Sequence, residues 1–236
     1  MATFLVAHGA WTAGWGWKKM HPRLTAAGHR LITPTLTGLG ERAHLATPDI
    51  GLDTHIQDML GVIEYEDLAD VVLIGHSYGG MVATGVADRA RERIAQLVYL
   101  DAFVPQDGQS LFDLQPPEIQ AHMREQARSS GQAWRIPPMP MPADTPPDDL
   151  AWSNPRRVPQ PLECFEQKLA LKNGPLALPR SYIWCRRTGP HNFQRFHDRA
   201  QAETGWRCYD LDATHNPHIT MPDVLCDLLV RIAGQR

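Results

Sequence analysis

The chain has 236 residues, of which 43% are hydrophobic, and its formal net charge is -3 at pH 7. This length and hydrophobic content are typical of one large core, so a single domain over residues 1–236 is expected. No Lys/Arg-rich run and no membrane-spanning apolar run is present, which argues against nucleic-acid and membrane partners. The first residues lack the basic segment of a signal peptide, so a cytoplasmic protein that acts on a small molecule is expected.

The four cysteines show no C-x-x-C spacing; they are Cys164, Cys185, Cys208 and Cys226. We interpret them as small buried side chains rather than as a disulfide framework or a zinc site. No metal is therefore expected.

Short β-branched runs alternate with amphipathic segments, which predicts an α/β fold: a mainly parallel sheet of about six strands flanked by helices. The predicted strands cover residues 3–7, 29–33, 71–74, 96–100, 181–185 and 206–211. The predicted helices cover residues 15–27, 81–93 and 193–202, with one more starting at Asp53 or Thr54 and a last one behind a Thr220 to Asp223 capping pair. Ligands bind such sheets beyond the carboxyl ends of the strands.

The loop after the first predicted strand contains His8, Gly9, Ala10 and Trp11. A glycine in this loop lets the main chain approach a bound group closely, so the backbone N–H of Ala10 is a candidate hydrogen-bond donor. Considered alone, the His-Gly pair is equally compatible with an ordinary tight turn.

Residues 75–79 have the sequence GHSYG and match the G-x-S-x-G nucleophile elbow. In this motif a strand turns so sharply into a helix that the serine, here Ser77, lies on strained backbone with its hydroxyl exposed. The predicted strand before it and the predicted helix after it supply the required context. The backbone N–H groups of Tyr78 and Ala10 would then form an oxyanion hole. The alternative is a glycine-rich turn with an idle serine.

Residues 106–178 are predicted to form an insertion over the site. Of the 20 prolines in the chain, 14 lie between Pro105 and Pro179, where they prevent long helices and central strands. A disordered linker is the alternative, but the segment that follows is too short to form a second domain. Apolar side chains available to a lid are Trp134, Met139, Met141, Trp152, Leu162 and Phe165.

A serine hydroxyl needs a base to take its proton, and the base needs an acid to hold its tautomer. His215 follows the last predicted strand and is the candidate base, with His218 as the rival. The loop over residues 186–189 contains no carboxylate, so the acid is predicted to be Asp101, at the end of the strand after the elbow helix. Asp198 is the alternative acid, and Asp101 could instead cap its loop.

With these motifs the chain resembles the hydroxynitrile lyase and methyl-ester esterase branch of the α/β-hydrolase superfamily. The likeness is carried by residues 8–11, 26–29, 72–77, 102–105 and 182–185 and by the His215 loop. The resemblance implies a cofactor-free core with a cap, catalytic positions at Ser77 and His215, and compatibility with a homodimer.

Lyases of this branch have a threonine on the oxyanion loop and a lysine beside the catalytic histidine. This chain has Ala10 and Asn216 at those places, which favours an esterase. At the usual acid position the chain has Thr188 or an arginine. Other α/β-hydrolases, such as dehalogenases, carry the acid where Asp101 stands.

The sequence therefore predicts a serine carboxylesterase that hydrolyses small carboxylic esters through an acyl-enzyme intermediate. Ser77 would be the nucleophile, His215 the base and Asp101 its acid. The predicted pocket walls are Trp11, Phe103 and His218. Two alternatives remain: a hydroxynitrile lyase or other C–C bond-cleaving enzyme that uses the same residues, and a non-catalytic protein that binds a small ligand.

Overall fold

A computed structural model describes residues 1–188 and 193–235 of the chain. The strands are β1 Thr3–Ala7, β2 Arg30–Ile32, β3 Val71–His76, β4 Ile94–Leu100, β5 Arg135–Ile136, β6 Gln160–Pro161, β7 Arg180–Cys185 and β8 Trp206–Leu211. The helices are α1 Met20–Ala26, α2 Leu52–Tyr65, α3 Gly79–Arg89, α4 Pro117–Ser129, α5 Pro147–Ser153, α6 Glu163–Glu166, α7 Gln194–Ala202, α8 Pro217–Thr220 and α9 Pro222–Ala233. Gly189, the last residue of the loop over residues 186–189 that contains no carboxylate, lies outside the described residues.

Six strands form one parallel sheet in the order β2-β1-β3-β4-β7-β8, which confirms the predicted fold class. The central strand β3 is buried along its whole length, as its continuous β-branched sequence requires. Helices α2 and α3 pack on one face of the sheet, while α1 and α9 pack together on the other. Among the described residues, every helix is too short or too polar to cross a membrane.

Several predicted helix starts are wrong because tertiary contacts determine them. The cap of α2 is Gly51 rather than Asp53 or Thr54, and the backbone N–H of Asp53 donates to Gln167 Oε1 at 2.6 Å. The closing helix α9 has no side-chain cap, since Asp223 pairs with Arg23 at 2.6 Å. These partners are distant in sequence, so local capping rules could not reveal them.

The segment between β4 and β7, which contains residues 106–178 and is called the insertion below, folds as short elements. It holds α4, α5 and α6 and the antiparallel pair β5 and β6. Ion pairs connect it to the core: Lys19 pairs with Asp149, and Arg187 pairs with Asp144 at 3.7 Å. The insertion therefore packs over the carboxyl ends of the strands as a folded unit.

The turn from β3 into α3 depends on close backbone approach at Gly79. A β-carbon there would overlap the carbonyl oxygens of Ala7 and His8 at the end of β1. Helix α3 can thus begin directly against the central sheet only because position 79 has no side chain.

We expect Gly79→Ala to lower the free energy of unfolding by at least about 2 kcal/mol, because the new methyl group must displace backbone rather than a flexible side chain. Gly61→Ala is the matched control, since no atom lies within 4 Å of a β-carbon at this position in α2. That change should stabilise the protein by up to about 1 kcal/mol through helix propensity. Urea unfolding measures both; equal effects at the two positions would contradict the packing argument.

Candidate active site

Three separate strand ends bring Ser77, Asp101 and His215 together. Ser77 follows β3, Asp101 follows β4, and His215 lies in the loop after β8. The backbone N–H of Ser77 donates to Leu100 O at 3.3 Å, and that of Asp101 donates to Ile183 O at 2.8 Å. Hydrogen bonds that continue the sheet therefore position both side chains beyond its carboxyl edge.

Asp101 is the acid that contacts the histidine. Its Oδ2 accepts a hydrogen bond from His215 Nδ1 at 2.7 Å and another from the Thr188 hydroxyl at 2.8 Å. Its Oδ1 accepts from the backbone N–H of Cys185 at 3.1 Å, and the residue is fully buried. Since the carboxylate accepts from Nδ1–H, the neutral ring of His215 has its free lone pair on Nε2.

The alternative acid, Asp198, lies elsewhere. Its side chain on α7 is 60% exposed and faces His197, with Oδ1 3.5 Å from Nδ1. The structure therefore places Asp101, and not Asp198, beside His215.

The ring of His215 is held on two further sides. Phe193 stacks on it with ring centroids 5.0 Å apart and an interplanar angle of 7°. The backbone carbonyl of His215 accepts a hydrogen bond from His76 Nε2 at 2.8 Å. Burial lowers the pKa of His76 well below its usual value, so this donor is a neutral imidazole.

Ala10 and Tyr78 present two backbone N–H groups at the cavity wall. Neither N–H donates to another group in the described part of the chain. The Tyr78 side chain turns away from the cavity into the core, where its hydroxyl meets His55 Nδ1 at 2.8 Å. Backbone N–H groups without a partner beside Ser77 are the kind of donor that an oxyanion hole requires.

His8 fixes the loop that carries Ala10. Its Nε2 accepts from the backbone N–H of Leu36 at 3.1 Å, so its Nδ1–H is the group that donates to Gly9 O at 2.9 Å. Burial lowers the pKa of His8 to about 4, which keeps the ring neutral and both hydrogen bonds in place. The His-Gly pair is thus more than a tight turn.

The insertion holds Trp11 through three hydrogen bonds. The backbone N–H of Trp11 donates to Gln160 Oε1 at 2.9 Å, and its indole N–H donates to Ile136 O at 3.0 Å. The backbone carbonyl of Trp11 accepts from the N–H of Val158 at 3.3 Å. Trp11 has a φ of 60°, which is strained for a large side chain, so these bonds stabilise the conformation of the oxyanion loop.

A cavity of about 320 Å³ opens beside Ser77 and His215. Trp11 and Phe103 line it. His218 does not, and its prediction as a pocket wall is wrong: the ring is fully buried behind the cavity, stacked on Trp17 with centroids 4.6 Å apart. The apolar side chains contributed by the insertion are Leu111, Ile119, Met123, Met139, Met141 and Phe165.

Sequence reasoning did not find three residues that support the site. Thr188 was considered only as the place of a missing acid, yet its hydroxyl binds the Asp101 carboxylate. Gln160 and His55 lie far from the motifs in sequence, and no local signal marks them. His8 was noted within its motif, but its contact with Leu36 requires the folded structure.

The chain belongs to the alpha/beta hydrolase family, whose model matches residues 4–228. It is 41% identical over 241 residues to a carbendazim hydrolyzing esterase of Nocardioides sp., an alignment that covers 98% of this chain and 100% of that relative. The salicylic acid-binding protein 2 of Nicotiana tabacum is 31% identical over 103 residues, 43% of this chain and 40% of the tobacco protein. The tobacco match therefore spans less than half of either chain.

Among solved structures, an extracellular alpha/beta-hydrolase from a Paenibacillus species superposes with a TM-score of 0.88 and 26% identity, covering 100% of both chains. It is described as sharing structural and functional homology with the tobacco protein. These comparisons confirm the predicted family and fold. They also confirm the predicted class of enzyme, a carboxylic ester hydrolase.

We expect Gln160→Leu to lower kcat for ester hydrolysis by about tenfold or more, because the Trp11 N–H loses its acceptor and the oxyanion loop its support. Gln160→Glu retains an acceptor oxygen and should recover much of the loss. Steady-state kinetics with a small ester measure this, beside circular dichroism to check folding. Equal activity in the leucine variant and the wild type would contradict this role.

The buried His55 ring should make the free energy of unfolding depend on pH. Its Nε2–H donates to Thr37 O at 2.9 Å, and burial lowers its pKa to about 4. Below pH 6.5 the unfolded chain therefore binds a proton that the folded protein does not. The resulting stability is complete above pH 6.5 and falls by about 1.4 kcal/mol per pH unit down to pH 4.

The slope of the unfolding free energy against pH counts the protons taken up on unfolding. His55→Gln should lower this number by close to one over this range. His44→Gln is the control, because His44 is exposed and contacts only Glu41 O within the described residues. Urea unfolding at pH values between 4.5 and 7, in steps of about half a unit, gives the slope of the unfolding free energy against pH for each variant. A slope that is unchanged in His55→Gln would show that the buried ring is protonated in the folded state.

Proposed function

We propose that the chain is a serine carboxylesterase that hydrolyses its ester through an acyl-enzyme intermediate. The observation that carries the proposal is the hydrogen bond of 2.7 Å from His215 Nδ1 to the buried Asp101 carboxylate, in a cavity that also contains Ser77. This pairing leaves Nε2 as the basic atom and aims the ring at the cavity.

In the first half of the reaction, Ser77 Oγ attacks the ester carbonyl while His215 Nε2 takes its proton. The carbonyl oxygen becomes an oxyanion, which accepts hydrogen bonds from the backbone N–H groups of Ala10 and Tyr78. Asp101 stabilises the imidazolium that forms but does not take its proton. Collapse of the tetrahedral intermediate breaks the C–O bond, and His215 gives its proton to the departing alcohol.

In the second half, water attacks the acyl-Ser77 carbonyl and His215 takes a proton from it. The same two N–H groups hold the second oxyanion. Collapse releases the carboxylic acid, and the proton returns to Ser77. His215 Nε2 thus both accepts and returns the proton in each half of the reaction.

Ester hydrolysis is favoured over C–C bond cleavage by the residues around His215. Asn216 stands where a lyase would have its lysine, and its amide donates towards Met141 Sδ in the insertion at 3.8 Å rather than supplying a cation to the site. At the position where a lyase would have its threonine hydroxyl, this chain has only the methyl group of Ala10. The aromatic walls of the cavity further support an ester that contains an apolar or aromatic group.

We expect Ser77→Ala to reduce hydrolysis of 4-nitrophenyl acetate and butyrate by about a thousandfold or more, since the variant cannot form the acyl-enzyme. Release of 4-nitrophenolate is followed by absorbance beside the wild type. If Ser77→Ala hydrolyses these esters as fast as the wild type does, the serine mechanism is refuted. Cyanide release from mandelonitrile without ester turnover would support the lyase alternative instead.

Asp101→Asn should lower kcat by up to about 10⁴-fold, because an asparagine no longer stabilises the imidazolium or enforces the Nδ1–H tautomer. Asp198→Asn is the matched control and should retain nearly full activity, since that carboxylate is exposed and faces His197. The reverse order of the two kcat values would overturn the assignment of the acid.

A further inference from the structure

One wall of the cavity carries a positive charge that has no carboxylate partner. Arg157, in the insertion, lines the cavity, and its Nη1 donates to the backbone carbonyl of Met139 at 2.6 Å. Within the described residues no acidic side chain pairs with it, although Arg124 of the insertion pairs with Glu166 and Arg187 of the core pairs with Asp144. Burial lowers the pKa of Arg157, which shows that its surroundings disfavour the charge.

Three other residues that line the cavity each have a buried polar atom without a partner. The indole Nε1 of Trp15 and the hydroxyls of Thr12 and Ser153 are buried and make no hydrogen bond in the described part of the chain. Trp15 packs edge-on against Trp152, the neighbour of Ser153, with ring centroids 5.1 Å apart. The contact brings the first loop and the end of α5 together, and the three polar atoms are buried beneath the cavity surface, which leaves the Arg157 guanidinium as the donor group of this wall.

This wall favours a substrate group that accepts hydrogen bonds. A guanidinium carries a positive charge and can only donate hydrogen bonds. A carboxylate accepts at both oxygens and neutralises the guanidinium, and pairs of this kind are among the strongest hydrogen bonds in proteins. A neutral apolar group placed there would leave both the charge and the donors unsatisfied.

We propose that Arg157 forms a subsite for a carboxylate on the substrate, remote from the ester bond. The inference rests on the proposed ester hydrolysis at Ser77 and narrows its substrate class. Preferred substrates are monoesters of dicarboxylic acids, in which an apolar spacer fills the cavity between the scissile ester and the free carboxylate.

The test compares charged and neutral esters of matched length. kcat/KM is measured for the monomethyl esters of glutaric, adipic and pimelic acid and for the corresponding dimethyl esters, with the wild type and with Arg157→Met, Arg157→Lys and Arg156→Met. Arg156 is the control, because it is exposed and donates to Trp152 O outside the cavity.

For at least one spacer length, the wild type and Arg156→Met should prefer the monoester over the diester about tenfold more strongly than Arg157→Met does. The loss should appear mainly in KM, and Arg157→Lys should restore part of the preference. An equal loss for charged and neutral esters in Arg157→Met would mean that Arg157 only holds Met139, and no monoester preference in the wild type would also overturn the subsite. Failure of the proposed function is distinct, because neither type of ester would then depend on Ser77.

Discussion

The hydrogen bond between Asp101 and His215 is the contact on which the site depends. The two residues follow β4 and β8, which are not neighbours, because β7 lies between them. β7 itself ends at Cys185, whose N–H binds the same carboxylate at 3.1 Å. The order and register of three strands therefore determine whether the histidine receives its acid, and the Thr188 hydroxyl, just beyond β7, completes the hydrogen bonding of the buried charge.

Three of the five non-glycine residues with a positive φ in the described part of the chain lie at this edge of the sheet. Trp11, Ser77 and Asp101 all have positive φ values, of 60°, 54° and 43°. Such conformations persist only where surrounding contacts hold them. Sheet hydrogen bonds hold the two residues that follow β3 and β4, whereas the insertion holds Trp11. The insertion is thus a wall of the cavity and also supports the loop whose N–H we propose to bind the oxyanion, which links substrate enclosure to the geometry of the reacting groups.

Much of the fold and part of the site could be predicted from local patterns. The elbow reveals Ser77 because the turn requires glycines at fixed spacing, and Asp101 could be inferred because strand ends of a parallel sheet converge. Contacts across many residues could not be predicted: Gln160 reaches Trp11 over 149 positions. His218 was misplaced because sequence proximity to His215 does not show which way a side chain points, and here it points behind the cavity onto Trp17.

The most direct test of the serine mechanism is the rate and position of covalent labelling by a fluorophosphonate, followed by intact mass spectrometry and peptide mapping. The account predicts a single adduct on Ser77, formed rapidly by the wild type. Labelling should be slower by orders of magnitude when Asp101 is changed to asparagine, and absent within the same time when His215 is changed to alanine. An adduct on another residue, or labelling of Ser77 at the wild-type rate without Asp101 or His215, would contradict the account.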